Sequence, residues 1–233
     1  MEDYSLAYVD GILPIRNNVY VMANGTVSLS VTTADDVLSV LALEDIVRDV
    51  RGGIIHNYPL VKIGTQYWMR DNLEASSYVG GEALPRLDAV TANVVGYLQS
   101  TTEHYFYTAN VVLSNKILPA HWSIPDWKDW NILKDYLNGE ASLLKSGTWL
   151  PLKAGEQVQP ATNLSGFNGI PVGMYVGAFQ TEYEKKHLAY WTLDNANASI
   201  EIKVFYLKSD TDIIEESNAG VDTKAFAIRC IRK

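Results

Sequence analysis

An α+β fold is predicted by this sequence, and three observations predict it. Residues 126–137 carry apolar side chains at helical spacing behind a capping signal. The C-terminal third is a series of short runs that alternate apolar and polar residues between turn signals. Long stretches rich in Gly, Pro and Asn separate them and follow neither period. A central helix near 126–137, an antiparallel sheet and long loops are therefore expected, preceded by a short β-rich N-terminal segment.

That segment, residues 1–46, reads as short strands with turns. "NNVYVMANGTVSLSV" alternates around Asn24-Gly25, the dipeptide best suited to a tight hairpin. "DDVLSVLALEDIVRDV" fits helix and strand about equally. "RGGIIHNYPLVKIGTQYWMRDNL" predicts a hairpin with strands at Ile54–Ile55 and Leu60–Ile63 and a turn at "HNYP". "RLDAVTANVVGYLQS" has helical character. "HYFYTANVVL" has strand composition and can open a helix at Thr108.

In "HWSIPDWKDWNILKDYL" (121–137), Pro125 stops what precedes it and Asp126 is the expected N-cap. Asp129 stands at the third helical position, a short-armed capping box. Trp127, Trp130, Leu133 and Leu137 repeat at helical spacing, and Asn138-Gly139 ends the helix. Trp130 and Leu133 are expected to face the core, with Trp127 partly exposed. After the long loop "KAGEQVQPATNLSGFNGIPVGMY", "AYWTLD", "IEIKVFYLKSD" and "KAFAIRCIRK" read as strands, and "SDTD" and "ESNAG" as turns. In "IEIKVFYL", Ile200, Ile202, Val204 and Tyr206 alternate with Glu201, Lys203 and Phe205, a half-buried pattern.

Composition narrows the function. A chain of 233 residues is long enough to bury a sizeable core. Its formal net charge of −8, with no Lys/Arg cluster, argues against nucleic acid and anionic membrane surfaces as partners. Cys230 is the only cysteine, which excludes an internal disulfide and a cysteine-based zinc site. No apolar run approaches the ~20 residues that span a bilayer. "MEDYSLAYVDG" has neither the basic nor the apolar region of a signal peptide.

Six short motifs occur in an order that resembles a known family: "IGTQYWMRDNL" (63–73), "LPAHWSIPDWKDW" (118–130), "LKSGTW" (144–149), "GFNGIPVG" (166–173), "AYWT" (189–192) and "AFAIRCIRK" (225–233). Together they resemble the Fibrobacter succinogenes major paralogous domain, a family of bacterial surface lipoproteins of Bacteroidetes and Fibrobacteres. The resemblance covers roughly 47–233 and leaves 1–46 outside, as the end of a preceding domain or as added strands. It implies a C-type-lectin-like fold, with long loops over a twisted antiparallel sheet. It also implies secretion and attachment to the outer surface through a lipid tail outside this chain. The family often carries a cysteine where Leu118 stands, so Cys230 is expected to be a buried free thiol. His121 replaces the family's usual glycine.

The residues themselves point away from catalysis. There is no HExxH, no nucleophile elbow and no phosphate loop. Asp210, Asp212, Glu215 and Glu216 read as solvated turn carboxylates, and His121 as structural. "WTLDNANAS" gathers Trp191, Asp194, Asn195 and Asn197, an aromatic plate beside hydrogen-bonding and oxygen-donor groups, although Trp191 equally suits the core. "GMYVGAFQTEY" offers Tyr175, Phe179 and Tyr183 as exposed aromatics. "QPATN" has Ala161 where a sugar-binding loop of the lectin type would place an acid. No cofactor is required, and calcium is the metal these loops leave open. The expected function is a non-enzymatic, lectin-like adhesin module that binds a glycan or a surface protein. The alternatives are a structural module of a surface or pilus assembly and, third, a polysaccharide-acting enzyme. Oligomeric state is not legible.

Overall fold

A computed structural model describes residues 46–179, 183–193, 201–220 and 223–232, with two isolated strands, β1 (Tyr20–Val21) and β2 (Val27–Ser28). These two pair antiparallel, Tyr20 opposite Ser28 and Val21 opposite Val27, so a hairpin connects them; the Asn24-Gly25 turn itself lies outside the described residues.

β3 (Ile46–Arg51) settles the ambiguous run as strand over its last residues; residues 35–45 of that run lie outside the described residues. Gly52 and Gly53, both at positive φ (55° and 84°), turn the chain into β4 (Ile54–Ile63). β4 is one ten-residue strand, so "HNYP" is not a turn. Pro59 is tolerated because the partner strand changes there. Ile54 through Pro59 pair with β3, while Leu60 through Ile63 pair with β5 (Gln66–Met69). The missing N–H falls at the handover, and the Pro59 carbonyl still accepts from the Arg70 N–H at 2.7 Å.

The helix expected in 86–100 does not form. The segment doubles back instead, with Tyr97 N–H bonded to the Pro85 carbonyl and Leu87 N–H to the Tyr97 carbonyl. The approach is so close that a Cβ on Gly96 would lie 2.4 Å from the Pro85 oxygen. Only β6 (Tyr97–Gln99) is regular here. β7 (Tyr105–Thr108) then runs into α1 (Ala109–Ser114), with Thr108 as its N-cap residue.

β8 (Trp122–Ser123) precedes α2 (Trp127–Tyr136). The Asp126 carboxylate accepts from the Lys128 and Asp129 N–H groups at 2.8 and 3.0 Å, and Asp129 returns a bond to the Asp126 N–H at 2.8 Å. This is the expected capping box. Asn138 and Gly139, both at positive φ, end the helix, and Gly139 N–H reaches back to the Lys134 carbonyl. Trp130 and Leu133 are fully buried, while Trp127 is half-exposed under the Lys203 ammonium, 3.7 Å from its ring centroid.

The remaining strands are β9 (Tyr175–Val176), β10 (Ala178–Phe179), β11 (His187–Trp191), β12 (Glu201–Lys208), β13 (Glu215–Gly220), β14 (Lys224–Phe226) and β15 (Ile231–Arg232). "ESNAG" is therefore strand, not turn; it pairs with β12 from Glu215 opposite Tyr206 to Gly220 opposite Glu201. Three antiparallel sheets result, ordered β3-β4-β5-β15-β8, β6-β7-β14-β9-β10 and β11-β12-β13.

Two apolar clusters fill the space between sheets and helices, and the two-residue period of the strands divides side chains between them. Along β11, Ala189 and Trp191 enter one cluster, and Leu188 and Tyr190 the other. Along β12, Ile202 and Val204 oppose Phe205 and Leu207 in the same way. The sheet β11-β12-β13 is thus covered on both faces. Phe205, expected on a solvent face, is buried and stacked on Trp130 at 4.1 Å.

Candidate functional site

The motif residues converge on one buried guanidinium. Arg229 is 1% exposed. Its Nη1 donates to the Met69 carbonyl at 2.9 Å, the Phe167 carbonyl at 2.6 Å and the Arg70 carbonyl. Its Nη2 donates to Asn72 Oδ1 at 2.7 Å, the Asn168 carbonyl at 3.3 Å and the Tyr190 hydroxyl at 2.9 Å. The rings of Phe167 and Tyr190 flank it, with centroids 4.4 and 5.3 Å from the guanidinium carbon. Arginine alone offers five donors in one plane, which is why it can tie three separated chain segments together. Beside it, Trp130 packs against Trp68 at 4.8 Å, Tyr190 at 5.6 Å and Phe167 at 6.1 Å. The "LKSGTW" motif is structural as well. Lys145 is fully buried and donates to the Thr211 carbonyl at 2.6 Å, and Trp149 caps the Ser146 carbonyl at 2.9 Å.

These surroundings hold no evident nucleophile. Cys230 is fully buried, and burial pushes its thiol up to about 12, far from the thiolate a reactive cysteine needs. Leu118 shares its cluster. Asp212, expected to be solvated, anchors Ser142 instead through its N–H and hydroxyl, at 2.5 and 3.1 Å. His121 adopts a positive φ of 64° on the surface before β8. Among the described residues, no group of three His, Cys, Asp or Glu side chains is placed to hold a metal ion, and no helix is long and apolar enough to cross a membrane.

The expected ligand residues do not come together. Trp191 is closed to solvent; its indole N–H donates to the Tyr107 carbonyl at 2.7 Å and its ring meets Phe226 edge-on at 4.7 Å. It presents no plate to a ligand. Tyr175 is also buried, at 6% exposure, with its hydroxyl bonded to the Gln99 carbonyl at 3.0 Å. The neighbouring tyrosines of "GMYVGAFQTEY" therefore face opposite fates, because Tyr175 lies in a central sheet and Tyr183 outside it. Asp194, Asn195 and Asn197 lie outside the described residues. The "QPATN" loop is tied down by backbone bonds from Thr162 and Asn163 to the Ser142 carbonyl.

Of the expected residues that are described, only Tyr183 lines a cleft, of about 330 Å³, at the small end of the ~300–1,000 Å³ range of ligand sites. The cleft lies between one end of β11-β12-β13 and the β9/β14 pair. Tyr206 and Phe226 form an aromatic floor and meet edge-on at 6.0 Å. Tyr183 stacks on His187 at 4.6 Å with the rings 15° apart. Met174 and Val176 close the far side, and Lys208, Glu215, Ser217 and Lys224 supply polar groups. The pairing of His187 with Lys208 and of Tyr206 with Glu215 places these four on one face of the sheet.

His187 is 8% exposed, and neither ring nitrogen has a hydrogen-bond partner among the described residues. Burial, aided by the Lys208 charge, holds its pKa down to about 4, so the ring is neutral near pH 7. A neutral imidazole offers one donor and one acceptor, the complement of a hydroxyl group. Burial raises Tyr206 to about 12, which keeps it a phenol. Sequence reasoning missed the partners of Tyr183. The available signal was that "HLAYW" and "VFYLK" end in polar residues which antiparallel pairing brings together, but the register needed to see this is not written in either run.

The fold and the motif core together define a β-dominated α+β domain built around a buried arginine. The family model for the Fibrobacter succinogenes major domain matches residues 61–232, and the chain belongs to that family. No curated protein and no solved structure matches it. The matched region begins inside β4, whereas the sheet it enters begins with β3.

Proposed function

We propose that this domain is a non-enzymatic recognition module of the bacterial cell surface, a lectin-like adhesin domain with C-type-lectin-like architecture. It is carried there by a lipid-anchored protein and binds glycan in the cleft beside Tyr183. The observation that carries this reading is the cleft itself, an aromatic floor with a few convergent polar groups, set apart from the motif core. Aromatic faces suit the C–H faces of sugar rings, and a neutral buried imidazole suits a sugar hydroxyl. Two further features argue for binding over hydrolysis. Glu215 is engaged by Lys208 and Glu216 by Lys134, and these adjacent strand residues point to opposite faces instead of confronting each other across a cleft. The calcium ligands this reading assigns are Asp194, Asn195 and Asn197.

The test is a glycan array probed with the purified chain, with and without calcium. A specific hit that Tyr183→Ala removes while the melting temperature holds supports the reading. A blank across neutral and acidic glycans in both conditions overturns it.

A second reading, a structural or assembly module, is favoured by one observation. β3 lies at a sheet edge, and the β3–β4 hairpin exposes Val50, Ile54 and Ile55, at 52%, 58% and 49%. An exposed apolar edge is a route to strand addition by another protein.

A further inference from the structure

The polar groups of the cleft do not balance. Glu215 meets the Lys208 ammonium, and Glu216 is 3.8 Å from Lys134 on α2. Both carboxylates at the rim are thus already opposed by a cation. Lys224, at the start of β14, has no carboxylate partner among the described residues. It is half-buried and lines the cleft. Among the described residues, a positive charge therefore remains at the rim after pairing, beside an aromatic floor and an imidazole whose nitrogens have no partner there.

We propose, on the strength of the glycan-binding reading, that the cleft selects a sugar bearing a carboxylate, a uronic-acid residue. Lys224 opposes the carboxylate, His187 exchanges hydrogen bonds with a ring hydroxyl, and Tyr206 and Phe226 receive the apolar face of the pyranose. The division of labour is physical. Aromatic contact and a neutral imidazole hold any hexose of suitable shape, and they do not distinguish acid from neutral sugar. Only the unbalanced lysine does so, because a charge-assisted bond to a carboxylate is about twice as strong as a neutral one. Discrimination by one ammonium at a partly open rim is modest and falls with salt.

The experiment titrates the full chain with tri-galacturonate and with its methyl ester, which differ only in charge and one methyl per residue, using calorimetry at low and high salt. The acid is expected to bind roughly tenfold more tightly than the ester. In Lys224→Gln that preference of acid over ester is expected to disappear, and Lys224→Arg restores it. His187→Gln weakens acid and ester by the same factor. Equal binding of acid and ester by the parent chain overturns the selection of a carboxylate and leaves glycan binding standing. A sulfated trisaccharide without carboxylates that binds better than the uronate, or a poly-glutamate peptide that displaces it at equal concentration, overturns the assignment to a uronic acid. Loss of the preference in Lys224→Gln only because the chain has unfolded is recognised by its circular dichroism, and Lys224→Arg then carries the test. If neither trisaccharide binds while other glycans do on the array, the inference fails alone; if nothing binds in either assay, both readings fail.

Discussion

Two regions of this domain use the same sheet in opposite ways. At Arg229 the side chains of β11 and β12 close into a dry core, where Tyr190, Phe205, Trp130 and Phe167 exclude water and the guanidinium is saturated by carbonyls. At the other end of the same strands, His187, Tyr206 and Lys208 leave a gap lined by polar atoms, some without partners. The first region draws residues from five of the six motifs, whereas of the described cleft residues only Phe226 falls inside a motif. The motifs therefore identify the family by how it folds. On the proposed reading the ligand is met mostly by side chains outside the motifs, so recognising the family says little about its ligand.

The comparison breaks first at Arg229. Arg229→Met leaves the carbonyls of Met69, Arg70, Phe167 and Asn168 buried without that donor. Each buried acceptor left unsatisfied costs about 1–3 kcal/mol, so stranding these carbonyls together is expected to cost several kcal/mol. Urea unfolding followed by tryptophan fluorescence is expected to show a loss of that size. An unchanged midpoint would mean that the arginine is tolerated, not required, and that the core is held by its aromatics.

His187 gives the next largest effect and belongs to the other region. Its folded pKa, about 4, lies below the ordinary 6.5, so the unfolded chain binds more protons between those values. Stability is complete above pH 6.5 and falls on acidification to pH 4, by at most ~1.4 kcal/mol per pH unit from this group, with no further loss below. Thermal melts across pH 4 to 7 are expected to show a steeper decline in the parent than in His187→Gln. Identical slopes would place the imidazole in water and remove it from the cleft wall.

Helix α2 links the regions, since it delivers Trp130 to the core and Lys134 to Glu216. Asp126→Ala removes the acceptor for two helix N–H groups and is expected to cost ~1 kcal/mol in the same urea experiment. Asp126→Asn should recover most of it.

This helix was also the most legible element, because a cap, a box and a helical period all lie within a dozen neighbouring residues. The errors share one cause, which is that each depended on a partner far along the chain. "HNYP" looks like a turn until β3 and β5 are seen to meet at Pro59. "ESNAG" has turn composition, yet β12 supplies the ladder that makes it a strand. Residues 86–100 have helical composition, but Gly96 lets Pro85 and Tyr97 close on each other. The same limit hid the cleft. Tyr183 was readable as an interesting aromatic and His187 follows it by one short turn, but Tyr206 and Lys224 join them only through strand registers. Trp191 failed as a ligand residue for the converse reason. Its composition suits binding, and only the packing of Phe226 and the Tyr107 carbonyl around it assigns it to the core.

The smallest expected effect is the sharpest contrast with Arg229. Tyr183 is half-buried, packs at the edge of one apolar cluster and stacks on His187. Tyr183→Ala removes one aromatic pair at a wet rim, which costs about 0.5–1.5 kcal/mol near pH 7. The substitution also opens the imidazole to water. Burial is the largest cause of its lowered pKa, so exposure moves that pKa back towards 6.5 and narrows the acid-sensitive window from its lower end. The variant should therefore be slightly less stable at neutral pH and less sensitive to acid than the parent. A direct check is the His187 ring-proton titration followed by NMR in both proteins. A midpoint that rises in Tyr183→Ala, with the urea midpoint little changed, marks a site whose residues answer to the solvent they hold out. A loss as large as that of Arg229→Met would show that the stack belongs to the core, and the cleft would then be a dent in the fold, not a place prepared for a ligand.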